Sequence, residues 1–121
     1  MEPWTDHQLR EIADADEMQI AGRREDDTLR EFVTIWQVRV GNEIYVRSVN
    51  GHDAAWYRGV RERDLGRITA GTVTADVVVT RDGTHDADVD AAYAKKYGAS
   101  DAVNSITTPL ATRTTLRVDP A

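Results

Sequence analysis

Apolar and polar residues alternate along this chain in short stretches, spaced as hairpin strands are spaced. Over residues 30–40, Phe32, Trp36, Val38 and Val40 share one parity and Gln37 and Arg39 the other. The second half of that stretch therefore predicts a half-buried strand, and Val33 to Trp36, apolar on both faces, predicts a strand covered on both sides. Gly41-Asn42 fits a type II′ turn, because its first central position needs positive φ and glycine supplies it. The return strand over 43–49 sets Ile44, Val46 and Ser48 against Tyr45 and Arg47. Earlier in the chain, residues 18–24 predict a short strand broken at Gly22, and the polar run from Arg24 to Asp27 a turn. Strands over 67–70 and 73–80, joined by Gly71-Thr72, form a further hairpin, and a last strand covers 111–118.

Helical spacing interrupts this pattern in three places. Thr5 or Asp6 caps a first helix with Leu9, Ile12 and Ala13 on one face, and Trp4 before the cap is placed to staple it. Asp53 is placed to cap a helix over 54–64. There Trp56 and Val60 face inward, Tyr57 and Arg61 form the next stripe beside Arg58, and Leu65-Gly66 is the stop. The third helix runs from Asp86 to Tyr97, with Asp86, Asp88 and Asp90 at its positive end and Lys95 and Lys96 at its negative end. Val89, Tyr93 and Tyr97 line up along it, and Gly98 ends it. Residues 101–106 add a helical turn before Pro109. Six or so strands with a few short helices predict a mainly β (α+β) domain: a small antiparallel barrel with helices at its ends and edges.

The 121 residues suffice for a single domain, 1–121, with one core. There is no cysteine, hence no disulfide, thiolate nucleophile or cysteine metal site. No apolar run is long enough to span a bilayer and the N-terminus lacks the features of a signal peptide, so the expectation is a cytoplasmic protein with no membrane partner. A net charge of −6 argues against a nucleic-acid groove. That charge is unevenly spread. Residues 39–67 carry six arginines against four acids, a net of +2, whereas residues 1–38 sum to four minus ten and residues 68–121 to five minus seven. A locally basic segment in an acidic chain suits a small anion, although a solvated helix face has the same composition.

Other chemistry is weaker. Asp86, Asp88 and Asp90 resemble a calcium loop, but Ala91 stands where glycine is needed and Tyr97 where glutamate is needed. Ser48, His52 and Asp53 supply the side-chain types of a triad without a nucleophile elbow. His7, His52 and His85 lack metal-ligand spacing. Trp36, Trp56, Tyr57, Tyr93 and Tyr97 can stack around an aromatic ring or simply fill a core.

The order of certain pieces points further. Gly22-Arg23-Arg24 sits in a turn, residues 34–39 precede a Gly-Asn hairpin, residues 44–48 read Ile-Tyr-Val-Arg-Ser, and Ala55-Trp56-Tyr57-Arg58 opens a helix. In this order they resemble the deazaflavin-dependent nitroreductases of the flavin-binding split-barrel group, and within that group an uncharacterised bacterial domain-of-unknown-function family. The resemblance implies a small antiparallel split β-barrel with short peripheral helices, a homodimer, and an oxidoreductase using FMN or a deazaflavin coenzyme on a small organic substrate. It implies cofactor binding at Arg23, Arg24, Arg47, Ser48, Trp56, Tyr57 and Arg58. Trp36, Tyr93 and Tyr97 are the candidates for the substrate side. Where the nitroreductases continue the basic turn with small residues, this chain has Glu25-Asp26-Asp27, whose carboxylates repel a polyanion. Two alternatives therefore stand beside the first: a cofactor-free enzyme or accessory protein holding a hydrophobic metabolite in the same groove, and a non-catalytic dimeric binding domain.

Overall fold

Seven strands form one antiparallel sheet in the computed structural model, which describes residues 3–98 and 100–121. The chain runs α1 (Asp6–Asp14), β1 (Met18–Gly22), β2 (Val33–Ile35), β3 (Gln37–Val40), β4 (Glu43–Val46), a 3-10 turn (Gly51–Asp53), α2 (Ala55–Arg61), β5 (Leu65–Ala70) and β6 (Val73–Arg81). Helices α3 (Asp86–Tyr97), α4 (Asp101–Ile106) and α5 (Pro109–Thr112) follow, and β7 (Leu116–Pro120) closes it. The strand order is β2-β1-β5-β6-β7-β4-β3. Its two edge strands, β2 and β3, are consecutive in the chain and separated only by Trp36. Ile35 pairs with Met18 of β1 and Gln37 with Val46 of β4, so the chain changes neighbour at Trp36. The result is a nearly closed barrel, split where that strand is broken.

Inward-facing residues of alternate parity fill the barrel: Met18, Ile20, Ile44, Val46, Ile68, Val77, Val79, Leu116 and Val118 belong to one buried cluster. Leu9 and Ile12 of α1 join it, as do Tyr57 and Val60 of α2, and each such side chain stabilises by roughly 1.5–3 kcal/mol through burial. The α1 start carries a full capping box between Thr5 and Gln8, while the Trp4 indole donates to the Val118 carbonyl at 2.9 Å and pins the N-terminal segment to the last strand. A second cluster lies outside the barrel, where Val38 and Tyr45 meet Val89, Tyr93 and Ile106. It is therefore β4 that is covered on both sides. Residues 33–36 are not: β2 is an edge strand, and Val33 and Thr34 are exposed.

The hairpins and α3 lie where the pattern places them. Gly41 and Gly71 take positive φ at their turns, and Asn42 does not, as a type II′ turn requires. Helix α3 begins at Asp86 and ends at Tyr97, with Gly98 as its C-cap. Gly22 ends β1 for a steric reason: a Cβ there would stand 2.7 Å from the Gly59 carbonyl oxygen, so its absence lets α2 lie against the barrel.

Three boundaries differ. Asp53 does not cap α2, because residues 51–53 form a 3-10 turn and the extended residue before the helix is Ala54, which has no capping side chain. Leu65 and Gly66 open β5 instead of stopping α2; Asp64, at φ 57°, makes the turn. The last strand starts at Leu116, not at residue 111, because Thr108 caps a short helix with Pro109 in its first turn. No helix among the described residues is long and apolar enough to cross a membrane.

Candidate functional site

A cavity of about 490 Å³ opens at the split. One wall is β2 with Trp36, where Val33, Thr34 and Ile35 run into the broken strand. Another is the segment leaving β4, Arg47 to Asn50; Ala54 and Trp56 close it from the start of α2, and Ala102, Ser105 and Ile106 from one face of α4. The lining is mostly apolar, with two indoles and a few neutral polar groups. Among the described residues its only charged side chain is Arg47.

Arg47 is 1% exposed and serves the fold. Its Nε donates to Thr115 Oγ1 at 2.8 Å. One terminal nitrogen donates to the Asp90 carboxylate and, at 3.3 Å, to the Ile106 carbonyl. The other donates to the Asp86 carbonyl at 3.3 Å and carboxylate at 3.5 Å. A guanidinium has five N–H donors, so every one is directed at a protein acceptor. Arg47 thus ties the end of β4 to the start of α3, the end of α4 and the approach to β7, while its guanidinium lies 5.9 Å from the centre of the Tyr93 ring. Two of the three acids that resembled a calcium loop, Asp86 and Asp90, are its counter-ions.

Ser48 is the opposite case. Its backbone N–H donates to Thr114 Oγ1 at 2.8 Å, but its own hydroxyl is buried without a hydrogen-bond partner, and the residue lines the cavity. An unpaired buried hydroxyl costs roughly 1–3 kcal/mol. The oxygen is closed off from solvent, so a ligand atom meets it only with a small shift of the cavity wall.

Trp36 is held from behind. Its ring stacks on Tyr97 with centroids 3.9 Å apart and planes 3° from parallel. Tyr93, fully buried, donates its hydroxyl to the Trp36 carbonyl at 2.9 Å and so satisfies an acceptor at the strand break. Tyr97 donates to the carbonyls of Asp16 and Gln37 at 2.8 and 3.3 Å. Lys96 donates to the Gln37 carbonyl at 2.9 Å, and burial brings its amine down to about 8. Burial raises both tyrosine hydroxyls well above the ordinary phenol range. The two tyrosines therefore lie behind Trp36 and outside the cavity lining.

The remaining predicted residues do not converge. Arg23 donates to Asp27 O and to Asp76, on the face where Arg67 holds the same carboxylate. These bonds, that from Arg67 first, keep Asp76 below the usual carboxylate range. Arg24 donates to Leu29 O at 2.6 Å, and Arg63 donates to Arg24 O and Asp27, so the β1–β2 turn is closed by its own and neighbouring side chains. Asp26 accepts from the backbone and hydroxyl of Thr28. On α2 the buried residues are Tyr57, Gly59 and Val60; Trp56 is partly buried, packing against the core while also lining the cavity. Tyr57 and Arg58 line a different cleft. Of the predicted set, Trp36, Arg47, Ser48 and Trp56 share the cavity. The wall from α4 escaped the sequence reading, although Ala102, Ser105 and Ile106 carry helical spacing.

The family model of an uncharacterized protein conserved in bacteria, DUF2255, matches residues 8–118. The chain belongs to this family. No curated protein matches the sequence. Among solved structures, DUF2255 as represented here is similar in fold to the conserved hypothetical protein Rv2991 from Mycobacterium tuberculosis, with TM-score 0.64 and 9% identity over 98% of this chain and 80% of that one. It is also similar to HutZ, a heme storage protein from Vibrio cholerae, with TM-score 0.69 and 15% identity over 95% and 87% of the two chains. A third is a protein proposed to confer 5-nitroimidazole antibiotic resistance in Bacteroides thetaiotaomicron, with TM-score 0.59 and 12% identity over 98% and 81%. At such identities the likeness shows the split-barrel fold alone.

Proposed function

We propose that this DUF2255 protein binds a planar, largely uncharged heteroaromatic molecule in the cavity between Trp36 and Trp56, holding its ring and not a phosphorylated tail. The observation that carries this reading is the apolar, indole-lined space itself, with the unpaired Ser48 hydroxyl just behind its wall. Apolar walls with one or two placed polar groups are how small-molecule sites obtain affinity and orientation, and about 490 Å³ is a ligand-sized volume.

The cofactors suggested by the resemblance and by the neighbours divide on this test. A flavin or deazaflavin ring suits the indoles and the Ser48 hydroxyl. The phosphate tail of FMN or of a deazaflavin coenzyme does not fit, because Arg47 has spent its donors on the fold, Arg23 and Arg24 are engaged elsewhere, and Arg58, though uncommitted, lines a different cleft. Haem lacks an axial ligand, since among the described residues no histidine, methionine, cysteine or tyrosine lines the cavity. Among the described residues no ionisable acid or base other than Arg47 lines it either, so these residues bind and orient, and any redox chemistry belongs to the guest.

The homodimer belongs to the same proposal. Phe32, Val33, Val49 and Leu110 are the exposed large apolar side chains. Val33 and Val49 line the cavity, Phe32 adjoins Val33, and Leu110 lies against Gly51 beside Asn50. A second copy of the chain seated on this rim would cover the cavity mouth.

The test is a tryptophan-fluorescence titration with riboflavin, which carries the ring without the phosphate. The wild-type protein is expected to saturate at one site per chain. Ser48→Ala is expected to bind about fivefold to tenfold more weakly while melting no lower than wild type, because the hydroxyl it removes has no partner to lose. Non-saturable quenching, or a Ser48→Ala protein that binds as wild type does, overturns the reading.

A further inference from the structure

A second cavity of about 470 Å³ is lined by His52, Tyr57, Arg58, Arg61, Glu62 and Arg81 and shares no residue with the first. On α2 the side chains of Tyr57, Arg58, Arg61 and Glu62 occupy one face, at i, i+1, i+4 and i+5, and Trp56 leaves on the other. Three guanidiniums against one carboxylate give this lining a net charge of +2 in a chain of −6.

The ion pairs around it do not cancel that charge. Glu62 pairs with Arg30 outside the cleft, and Arg61 pairs with Asp64 at 3.3 Å. Adding those two partners, one cation and one anion, leaves the sum at +2. Arg81 is anchored through one donor, to the Thr115 carbonyl at 3.1 Å. Among the described residues the Arg58 guanidinium has neither a hydrogen bond nor a salt bridge to protein, and the residue is exposed.

Tyr57 gives the independent observation. Its side chain is 5% exposed, with its ring packed edge-on against His52 at 5.3 Å and against Trp56 at 5.9 Å. Its hydroxyl has no protein partner among the described residues, yet it is not among the polar atoms sealed from solvent. A buried ring thus brings a free O–H donor to the floor of a cationic cleft. Burial raises this phenol above its ordinary range and the positive charges of Arg61 and Arg81 oppose the rise, which puts both guanidiniums within electrostatic reach of the hydroxyl.

We propose that this cleft is a binding site for a phosphate-sized oxyanion, with Arg58 as the uncommitted guanidinium, Arg61 and Arg81 as flanking charge, and the Tyr57 hydroxyl as a neutral donor. Guanidinium groups match tetrahedral oxyanions by directed, charge-assisted hydrogen bonds, and a phenol O–H fixes a further oxygen without adding charge. The site is separate from the ring cavity. Its occupant is a phosphorylated metabolite or free phosphate, whose shared chemistry is the phosphate group.

Isothermal titration with inorganic phosphate, against chloride at matched ionic strength, tests the site. One saturable site per chain is expected, weakening as ionic strength rises. Arg58→Ala is expected to lose about tenfold in affinity and Tyr57→Phe about fivefold, both with unchanged melting temperatures, since Arg58 touches no protein partner and phenylalanine keeps the buried ring. Ser48→Ala should bind phosphate normally, and saturating riboflavin should leave phosphate affinity unchanged, which separates this site from the reading of the first cavity. A phosphorylated sugar binding at least tenfold more tightly than phosphate assigns the site to a metabolite; equal affinity assigns it to free phosphate. Non-saturable binding, equal binding by Arg58→Ala and Tyr57→Phe, or competition with riboflavin overturns the proposal.

Discussion

Replacing Arg47 with methionine separates a structural arginine from a ligand-binding one. Methionine keeps much of the volume and none of the donors. The change strands the Ile106 carbonyl in the interior, leaves Thr115 Oγ1 with only its bond to the Thr112 carbonyl, and releases Asp86 and Asp90. Removing one partner of a buried ion pair costs about 3–5 kcal/mol. Here the carboxylates of Asp86 and Asp90 are 32% and 44% exposed and regain water, so the lower end applies, about 3 kcal/mol. An unfolding entropy near 2.1 cal/mol/K per residue gives about 250 cal/mol/K for this chain, so the melting temperature falls by about 12 °C. Differential scanning calorimetry measures it directly, with Arg58→Ala as the exposed control that moves by less than about 2 °C. An Arg47→Met protein that melts within about 3 °C of wild type yet no longer binds riboflavin would show that Arg47 serves the ligand, and the reasoning would be refuted.

Two further predictions concern the tyrosines and the rim. All four tyrosines, 45, 57, 93 and 97, hold their protons more tightly when folded, Tyr45 being pushed up to about 12 by burial and by the charge of Asp82. A group with a raised folded pKa contributes stability that is intact below its unfolded value, about 10 for tyrosine, and lost as pH rises through the folded one. Lys96 has the opposite sign, because its folded value of about 8 lies below that of the unfolded chain. Stability therefore gains slightly between about pH 8 and 10 and declines steeply above pH 10, and Lys96→Met abolishes the gain; phenolate absorbance that rises well before unfolding would contradict this. The proposed pairing through the exposed rim predicts that the wild-type protein sediments as a dimer and Phe32→Asp as a monomer; a dimeric Phe32→Asp protein would place the interface elsewhere, and a monomeric wild type would refute the pairing.

How far the fold could be read depended on whether the deciding contact was local. Helix α3 is bounded by its own residues, acids at the start and Lys95, Lys96 and Gly98 at the end, and both ends are found where they specify. Two-residue turns at Gly41-Asn42 and Gly71-Thr72 likewise carry their own registers. The change of partner at Trp36 does not, because it depends on where β1 and β4 lie. So residues 30–40 read as one strand, and the doubly covered strand was assigned to β2 instead of β4.

The arginines are hard to place from the sequence for the same reason. Arg23 finds its carboxylate 53 residues away and Arg47 one of its own 43 residues away, so nothing beside either residue marks it as already paired. Local charge counting made them look available for a phosphate. The late start of the last strand is different: Thr108-Pro109 is a local helix-opening signal, present in the sequence and outweighed there by the alternation that follows. For the cavity, Trp36, Ser48 and Trp56 were legible as chemistry, whereas the wall from α4 required the packing of α4 beside Arg47.

The central claim is that the split of this barrel accepts a flat ring and gives nothing to a phosphate carried on that ring's tail. Parallel titration of the wild-type protein with riboflavin and with FMN, at one ionic strength and with inorganic phosphate saturating the second cleft, measures it most directly. The account predicts dissociation constants within about threefold of each other, a difference of less than about 0.7 kcal/mol. FMN binding a hundredfold more tightly than riboflavin would show a phosphate-holding arginine at the cavity and contradict the account.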